Sequence, residues 1–298
     1  MTKNLRIAFV TVAILLAVLT VCGSFFDYEI ANAVYLGQSF KENPFGIIFA
    51  FIGVIPTFVG WSFLGASTWY LAKSQVKSKA KRGYLIAFAT LLFLLSFFFF
   101  CNTLMMVNAS AFAVHFLIAY PVGMLCIAGA GYLGYFLTKK SQNPKLLEKV
   151  LFLSLVSVVT MIVIMATKGI MDRPRFRFVK ETGHTEFFKN WWQKGSALKS
   201  GFPAVSDEFS SLPSGHSAYA MFAVILFPAL AEFIPQLQRR KPLLSVCGLL
   251  WWALTAFSRL TVGAHYLTDV SIAALITLGA YALVSVMTKS VLKNGRHP

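Results

Sequence analysis

The chain has 298 residues, of which 57% are hydrophobic and 29 are Phe, with a mean hydropathy of +0.68 and a formal net charge of +16. Apolar usage well above the roughly half found in soluble domains, with several apolar stretches of about 20 residues, excludes an ordinary soluble domain and predicts an integral membrane protein. The positive charge does not point to a nucleic acid, because Lys and Arg are scattered over short loops and do not gather with aromatics into one basic surface.

In chain order, apolar spans run near Leu5–Phe25, Phe45–Leu71, Tyr84–Val107, Val114–Leu137, Val150–Thr167, Ser217–Ile234, Leu243–Phe257 and Val270–Met287. They predict an all-α fold, a polytopic membrane helical bundle of about eight transmembrane helices. The first span follows Lys3 and Arg6 as a signal sequence would, but no Ala-x-Ala-like site closes it, so it is expected to stay as an anchor helix. Cys22, Cys101, Cys126 and Cys247 each fall in or beside a span without a Cys-x-x-Cys pair, and are expected to be small buried hydrophobes. No internal repeat is visible and most connections are short, which favours one bundle. The exception is the segment 168–212 after the fifth span. Phe187, Phe188, Trp191 and Trp192 lie there on one arc of a helical wheel and Lys189, Gln193 and Lys194 on the other, which predicts an amphipathic helix in the membrane interface. A plain aromatic belt with no part in substrate handling fits the same pattern.

Charge sets the expected orientation. With the N-terminus in the cytoplasm and sides alternating, the inner segments are Met1–Asn4, Lys73–Arg82, Lys139–Lys149, Pro235–Pro242 and the tail from Lys289. Counted with the flanking Arg6 and Glu232, they hold 17 of the 27 Lys and Arg residues but only Glu148 and Glu232 of the 11 acids, so the positive-inside rule is met at every turn. Both termini are therefore expected in the cytoplasm. The short basic loops favour a bacterial plasma membrane.

Three polar islands then converge on the extracytoplasmic side. Lys168–Arg175 leaves the fifth span, Pro213-Ser214-Gly215-His216 enters the sixth, and Ser258-Arg259 through His265 and Asp269 joins the seventh to the eighth. Ionisable groups at membrane depth are expensive and mark function by default. Lys168, Arg175 and Arg259 supply cations for phosphate oxygens. Ser214 and Gly215 offer a hydroxyl and an open N–H where a helix begins, a place that attracts anions. If the backbone is helical there, Asp269 lies one turn after His265 and would hold its ring, making His265 the better nucleophile; His216, without such an acid, becomes the general acid. No metal or other cofactor is needed for that chemistry.

These islands resemble the signature of the type 2 phosphatidic acid phosphatase (PAP2) superfamily: Lys-x6-Arg-Pro, Pro-Ser-Gly-His, and Ser-Arg-x5-His-x3-Asp. The second reads Pro213-Ser214-Gly215-His216 and the third Ser258-Arg259 with His265 and Asp269, both matching at every defining position. The first reads Lys168 to Arg175 with Phe176 in place of Pro; a competing frame, Arg173-Pro174, restores the dipeptide but shortens the spacing to four. The Lys-x6-Arg spacing favours Arg175, with Arg173 the alternative. The resemblance implies a six-helix core over residues 83–298, preceded by a two-helix addition over 1–82. It also implies metal-independent hydrolysis of a lipid phosphate or pyrophosphate through a phosphohistidine; phosphatidic acid, phosphatidylglycerophosphate and undecaprenyl pyrophosphate are family substrates. The partners it implies are the bilayer and a membrane lipid phosphate. Nothing in the sequence selects among those lipids or sets an oligomeric state. Vanadium haloperoxidases share the site, but an eight-span chain suits an amphiphile better than a halide.

Taken singly, Pro213–His216 describes an ordinary helix start, and His265-x3-Asp269 an ordinary satisfied pair. Their order and common side make the case. The alternative from another class is a lipid transporter that recognises phosphate without cleaving it, although transporters place such groups near the midplane between repeated halves. His115 reads as an interfacial histidine, His184 as a loop residue within reach of substrate, and His297 as tail. Asp172, Asp207 and Glu208 are expected to balance nearby cations.

Overall fold

The computed structural model describes residues 3–110 and 116–294, so His115 and His297 lie outside the described residues. The α-helices are α1 (Lys3–Val34), α2 (Pro44–Ile52), α3 (Ile55–Gln75), α4 (Lys79–Ser110), α5 (Phe116–Lys140), α6 (Leu146–Met171), α7 (Phe176–Thr182), α8 (Ser196–Lys199), α9 (Gly215–Ala229), α10 (Lys241–Thr261) and α11 (Leu267–Asn294). Among the described residues there is no strand, and eight helical spans are long and apolar enough to cross a membrane. The protein is an all-α, multi-pass membrane protein, as the length of its apolar spans predicts. Its spans fall where expected, with two differences. α1 runs past Phe25 to Val34, kinked at Phe26, and the second span breaks into α2 and α3. The break is local chemistry: Pro56, which has no N–H to donate, sits in the first turn of α3, and the Gly53 carbonyl freed by the break accepts from Trp251 Nε1 at 3.0 Å.

Contacts divide the chain into two compact units. The first comprises Met1–Ala50, Val159–Ala218 and Ala253–Ala282; the second comprises Phe51–Val158, Tyr219–Trp252 and Leu283–Pro298. Residues 1–82 therefore contribute to both, with α1 and most of α2 in the first.

In the second unit α3 packs along α4 and α5. It buries residues all round, Phe58, Trp61, Leu64 and Thr68 among them, as a helix enclosed by others must. Lipid tails are as apolar as side chains, so close packing and interhelical hydrogen bonds have to hold such helices together. Ser62 donates to the Ile127 carbonyl at 2.7 Å, Ser96 to that of Phe58 at 2.7 Å, and Trp61 Nε1 to Ser157 Oγ at 2.8 Å. Gly134 of α5 lies so near α3 that a Cβ there would stand 2.3 Å from the Phe63 carbonyl oxygen.

The first unit gathers α1, the ends of α6 and α10, and the starts of α9 and α11 around a small core of Ala31, Phe176 and Tyr266, flanked by Tyr28, Tyr35 and Phe188. α1 turns Ile14, Val18, Val21 and Phe25 outward, a surface suited to hydrocarbon. The cysteines differ from expectation: only Cys101 is buried, and Cys22, Cys126 and Cys247 are exposed on their apolar helices.

The segment 168–212 is not the amphipathic helix its aromatics suggest. Residues 188–195 are irregular, between a 3-10 turn at Thr185–Phe187 and the short α8. The Lys189 carbonyl, which a helix would need, accepts instead from Arg173 Nε at 2.8 Å, and Gln193 Oε1 closes a turn on Asn190 N–H. The aromatics pin the segment down one by one. Phe187 stacks on Phe178, Phe188 meets Tyr28 and Tyr266 edge-on, and Trp191 Nε1 donates to Ser24 Oγ at 2.8 Å.

Gly134→Ala is expected to lower the stability of the detergent-solubilised protein by about 1–3 kcal/mol through overpacking. Gly129→Ala on the same helix, where a Cβ meets nothing within 4 Å, should leave the thermal unfolding midpoint unchanged.

Candidate functional site

All eight site residues expected from sequence lie in the first unit. The start of α9 is built by its own residues. Ser214 is the N-cap, its Oγ accepting from Ser217 N–H at 3.3 Å, and its N–H donates to the Asp269 carbonyl at 3.1 Å. Gly215 and His216 occupy the first turn, whose N–H groups have no intrahelical acceptor. The Leu212–Pro213 peptide before them is cis.

A tight turn between α10 and α11 carries His265. The N–H groups of Ala264 and His265 both donate to the Arg259 carbonyl, at 3.1 and 3.3 Å. Gly263 has φ +64°, which a side chain adopts only under strain, and a Cβ there would stand 2.9 Å from Tyr35 and 3.0 Å from Arg177. Its carbonyl accepts from Arg177 N–H at 2.9 Å, tying this turn to the start of α7.

His265 is 3% exposed, and its Nδ1 lies 2.6 Å from the Ser211 carbonyl oxygen. A carbonyl only accepts, so Nδ1 carries the proton and Nε2 keeps its lone pair. Burial, then the charges of Lys168 and Arg175, hold this imidazole well below the usual histidine range. The helical turn that would bring Asp269 onto the ring is absent: His265 and Tyr266 belong to no helix and α11 begins at Leu267. The expected His265–Asp269 hydrogen bond is therefore replaced by an indirect arrangement. Asp269 accepts from Ser211 Oγ at 2.5 Å and from Tyr266 N–H at 2.9 Å, which fixes the backbone on both sides of the imidazole.

The cations fall into two kinds. Lys168, in the last turn of α6, donates to the Ser210 carbonyl at 2.5 Å. Arg259, in the last turn of α10 and 4% exposed, donates to Ser258 Oγ at 3.1 Å and to the Gly46 carbonyl. Among the described residues neither is paired with an acid. Arg175 pairs with Asp207 at 3.0 Å and Glu208 at 3.7 Å, and its buried Nε has no hydrogen-bond partner among the described residues. Arg173 is the opposite case. It is fully buried, with NH1 on Asp269 at 2.5 Å and on Thr268 Oγ1 at 2.8 Å, and NH2 on Asp27 at 2.9 Å. Of the two frames for the first motif, Arg175 is the one with an unused donor and Arg173 the one already neutralised.

His216 is half-buried, with Nε2 3.0 Å from the Ala50 carbonyl oxygen of α2. The neighbouring acids balance cations as expected: Asp172 takes Lys199 at 2.6 Å, and Glu208 takes Arg177 at 2.5 Å. His184 is exposed, paired with Glu186 at 2.7 Å and stacked on Phe187. Among the described residues no group of three or more His, Cys, Asp or Glu side chains is placed to hold a metal ion.

Sequence reasoning missed Ser211, Arg173's role beside Asp269, and the part of the first two helices. One signal was available. Asp27 is an acid on an apolar helix, itself a functional flag, but it lies just beyond Phe25, where the apolar run of the first span ends.

Residues 149–293 match the family model of the PAP2 superfamily. Neither the curated proteins nor the solved structures contain a match to the chain.

Removing one partner of a buried ion pair strands the others, which costs about 3–5 kcal/mol. Arg173→Ala, which leaves both Asp27 and Asp269 without their cation, is expected to lose about that much in thermal or denaturant unfolding. Arg175→Ala, whose acids reach solvent, should change stability little.

Proposed function

We propose, from the premise that the chain belongs to the PAP2 superfamily, that it is a phosphatase hydrolysing a lipid phosphate or pyrophosphate monoester at the extracytoplasmic face of a membrane. The reading rests above all on His265: a buried neutral imidazole whose Nδ1–H is spent on the Ser211 carbonyl and whose Nε2 is left bare beside cations. Nε2 of His265 attacks phosphorus, forming an N–P bond as the P–O bond to the lipid breaks. His216, tied through Nε2 to the Ala50 carbonyl, exchanges its proton at Nδ1 and protonates the departing oxygen. In the second half His216 takes a proton from water as the water oxygen attacks phosphorus, the N–P bond breaks, and inorganic phosphate leaves.

Lys168, Arg175 and Arg259 meet the charge on the equatorial oxygens. The N–H groups of Gly215 and His216 add the N-terminal end of a helix, and the Ser214 hydroxyl, whose oxygen accepts from Ser217, keeps its proton to donate. Asp269 serves His265 through the Ser211 hydroxyl and the Tyr266 N–H. The cations carry the electrostatic work, so turnover requires no metal or other cofactor. The site faces the extracytoplasmic side if the basic loops lie in the cytoplasm, and a bacterial plasma membrane is the setting that fits.

The test is release of inorganic phosphate by purified protein, with chelator present, from a panel of phosphatidic acid, phosphatidylglycerophosphate and undecaprenyl pyrophosphate. Turnover of at least one is expected; binding without release would identify a carrier. His265→Ala and His216→Ala should each lower kcat by 10³-fold or more, as loss of a nucleophile or its proton partner does, and near-normal rates in either would overturn the assignment. Orthovanadate, a five-coordinate phosphorus mimic, should inhibit.

The acidic limb of the pH profile should report His265, active only while neutral. A neighbouring cation disfavours the protonated ring, so Lys168→Gln raises the His265 pKa and moves that limb to higher pH, along with a lower kcat. A limb that stays in place or moves down would count against His265 as the titrating group.

A further inference from the structure

We propose that Asp27, on the first helix, is a positioning residue for the reaction centre. Its carboxylate holds Arg173 and the N-terminus of α11, and through them Asp269, Ser211 and the His265 ring. The inference rests on the phosphatase reading above and extends it to a segment that the family match over residues 149–293 does not include.

Asp27 is 2% exposed in the outer part of α1, one residue beyond the kink at Phe26. One oxygen accepts from Thr268 N–H at 3.0 Å, so a carboxylate from another helix caps the first turn of α11. The other accepts from Arg173 NH2 at 2.9 Å and from Thr268 Oγ1. Thr268 Oγ1 in turn accepts from Arg173 NH1 at 2.8 Å, and the same NH1 reaches Asp269. Arg173 also holds Ser211 directly, its carbonyl accepting from Ser211 N–H at 3.0 Å. Each link from Asp27 to the imidazole is thus a buried hydrogen bond: carboxylate to guanidinium, guanidinium to carboxylate, carboxylate to Ser211 Oγ, and Ser211 carbonyl to Nδ1.

The approach of α1 is built for this contact. A Cβ on Gly23 would stand 2.7 Å from Asp27 Oδ1 and 3.0 Å from Thr268 N, so only glycine lets the carboxylate reach the α11 terminus. Trp191 Nε1 on Ser24 Oγ and Phe188 against Tyr28 hold the same stretch of α1 from the loop side. Two carboxylates around one guanidinium fix its orientation where a single acid would leave it free to swing, and a nucleophile displaced by about 1 Å can lose about 10²-fold in rate.

The experiment compares membrane-inserted variants with wild type on the lipid phosphate it turns over. Asp27→Asn is expected to lower kcat at least ten-fold with KM within two-fold, and to weaken vanadate inhibition in proportion to kcat. Thr268→Val, which removes the hydroxyl shared by Asp27 and Arg173, should lower kcat several-fold, and Thr268→Ser should restore it. A purely structural Asp27 would reduce the amount of folded protein and leave kcat, the vanadate constant and the Val/Ser difference unmoved; that result overturns the proposal. If Asp27→Asn does not accumulate, the Thr268 pair decides in the same terms. Wild-type protein that releases no phosphate sinks the phosphatase reading and this inference together, whereas active wild type with unaffected variants sinks only the inference.

Discussion

A guanidinium sealed between two carboxylates organises this protein. Arg173 is fully buried, and a lone charge in that position would be intolerable. It is made tolerable by Asp27 on one side and Asp269 on the other, by the Thr268 hydroxyl and the Lys189 carbonyl, and by the face of Tyr266, 4.2 Å from the guanidinium carbon. Arg suits the position because its planar fork presents several donors at once. The partners come from α1, the long segment and α11, so one residue draws together three parts of the first unit.

Two of the remaining cations contrast with it. Arg173 is neutralised by acids, while Lys168 and Arg259 lean on carbonyls and a hydroxyl. Dipoles orient a cation without cancelling it. Around His265, burial first and then the charges of Lys168 and Arg175 keep the imidazole unprotonated.

Much of this was legible in the chain. Apolar length gave the eight spans, and three short polar motifs gave the residues that gather around His265, because a helix start such as that at Ser214 and Gly215 is written in local chemistry. What was not legible depended on partners distant in sequence. The His265–Asp269 spacing implies a direct bond only if the backbone is helical, and the turn made by Gly263 is not. The aromatics of 187–192 have helical spacing, but Arg173 takes the Lys189 carbonyl and the helix never forms. Asp27 carries no motif at all; its meaning comes from Arg173 and Thr268, remote in the chain.

The distribution of these partners bears on how the protein is made. Asp27 leaves the ribosome with the first helix and Asp269 with the last, and the Arg173 cluster needs both. Until α11 is inserted, the nascent chain carries an arginine and an aspartate whose network is open. Closure of the Arg173 cluster thus waits for the last helix.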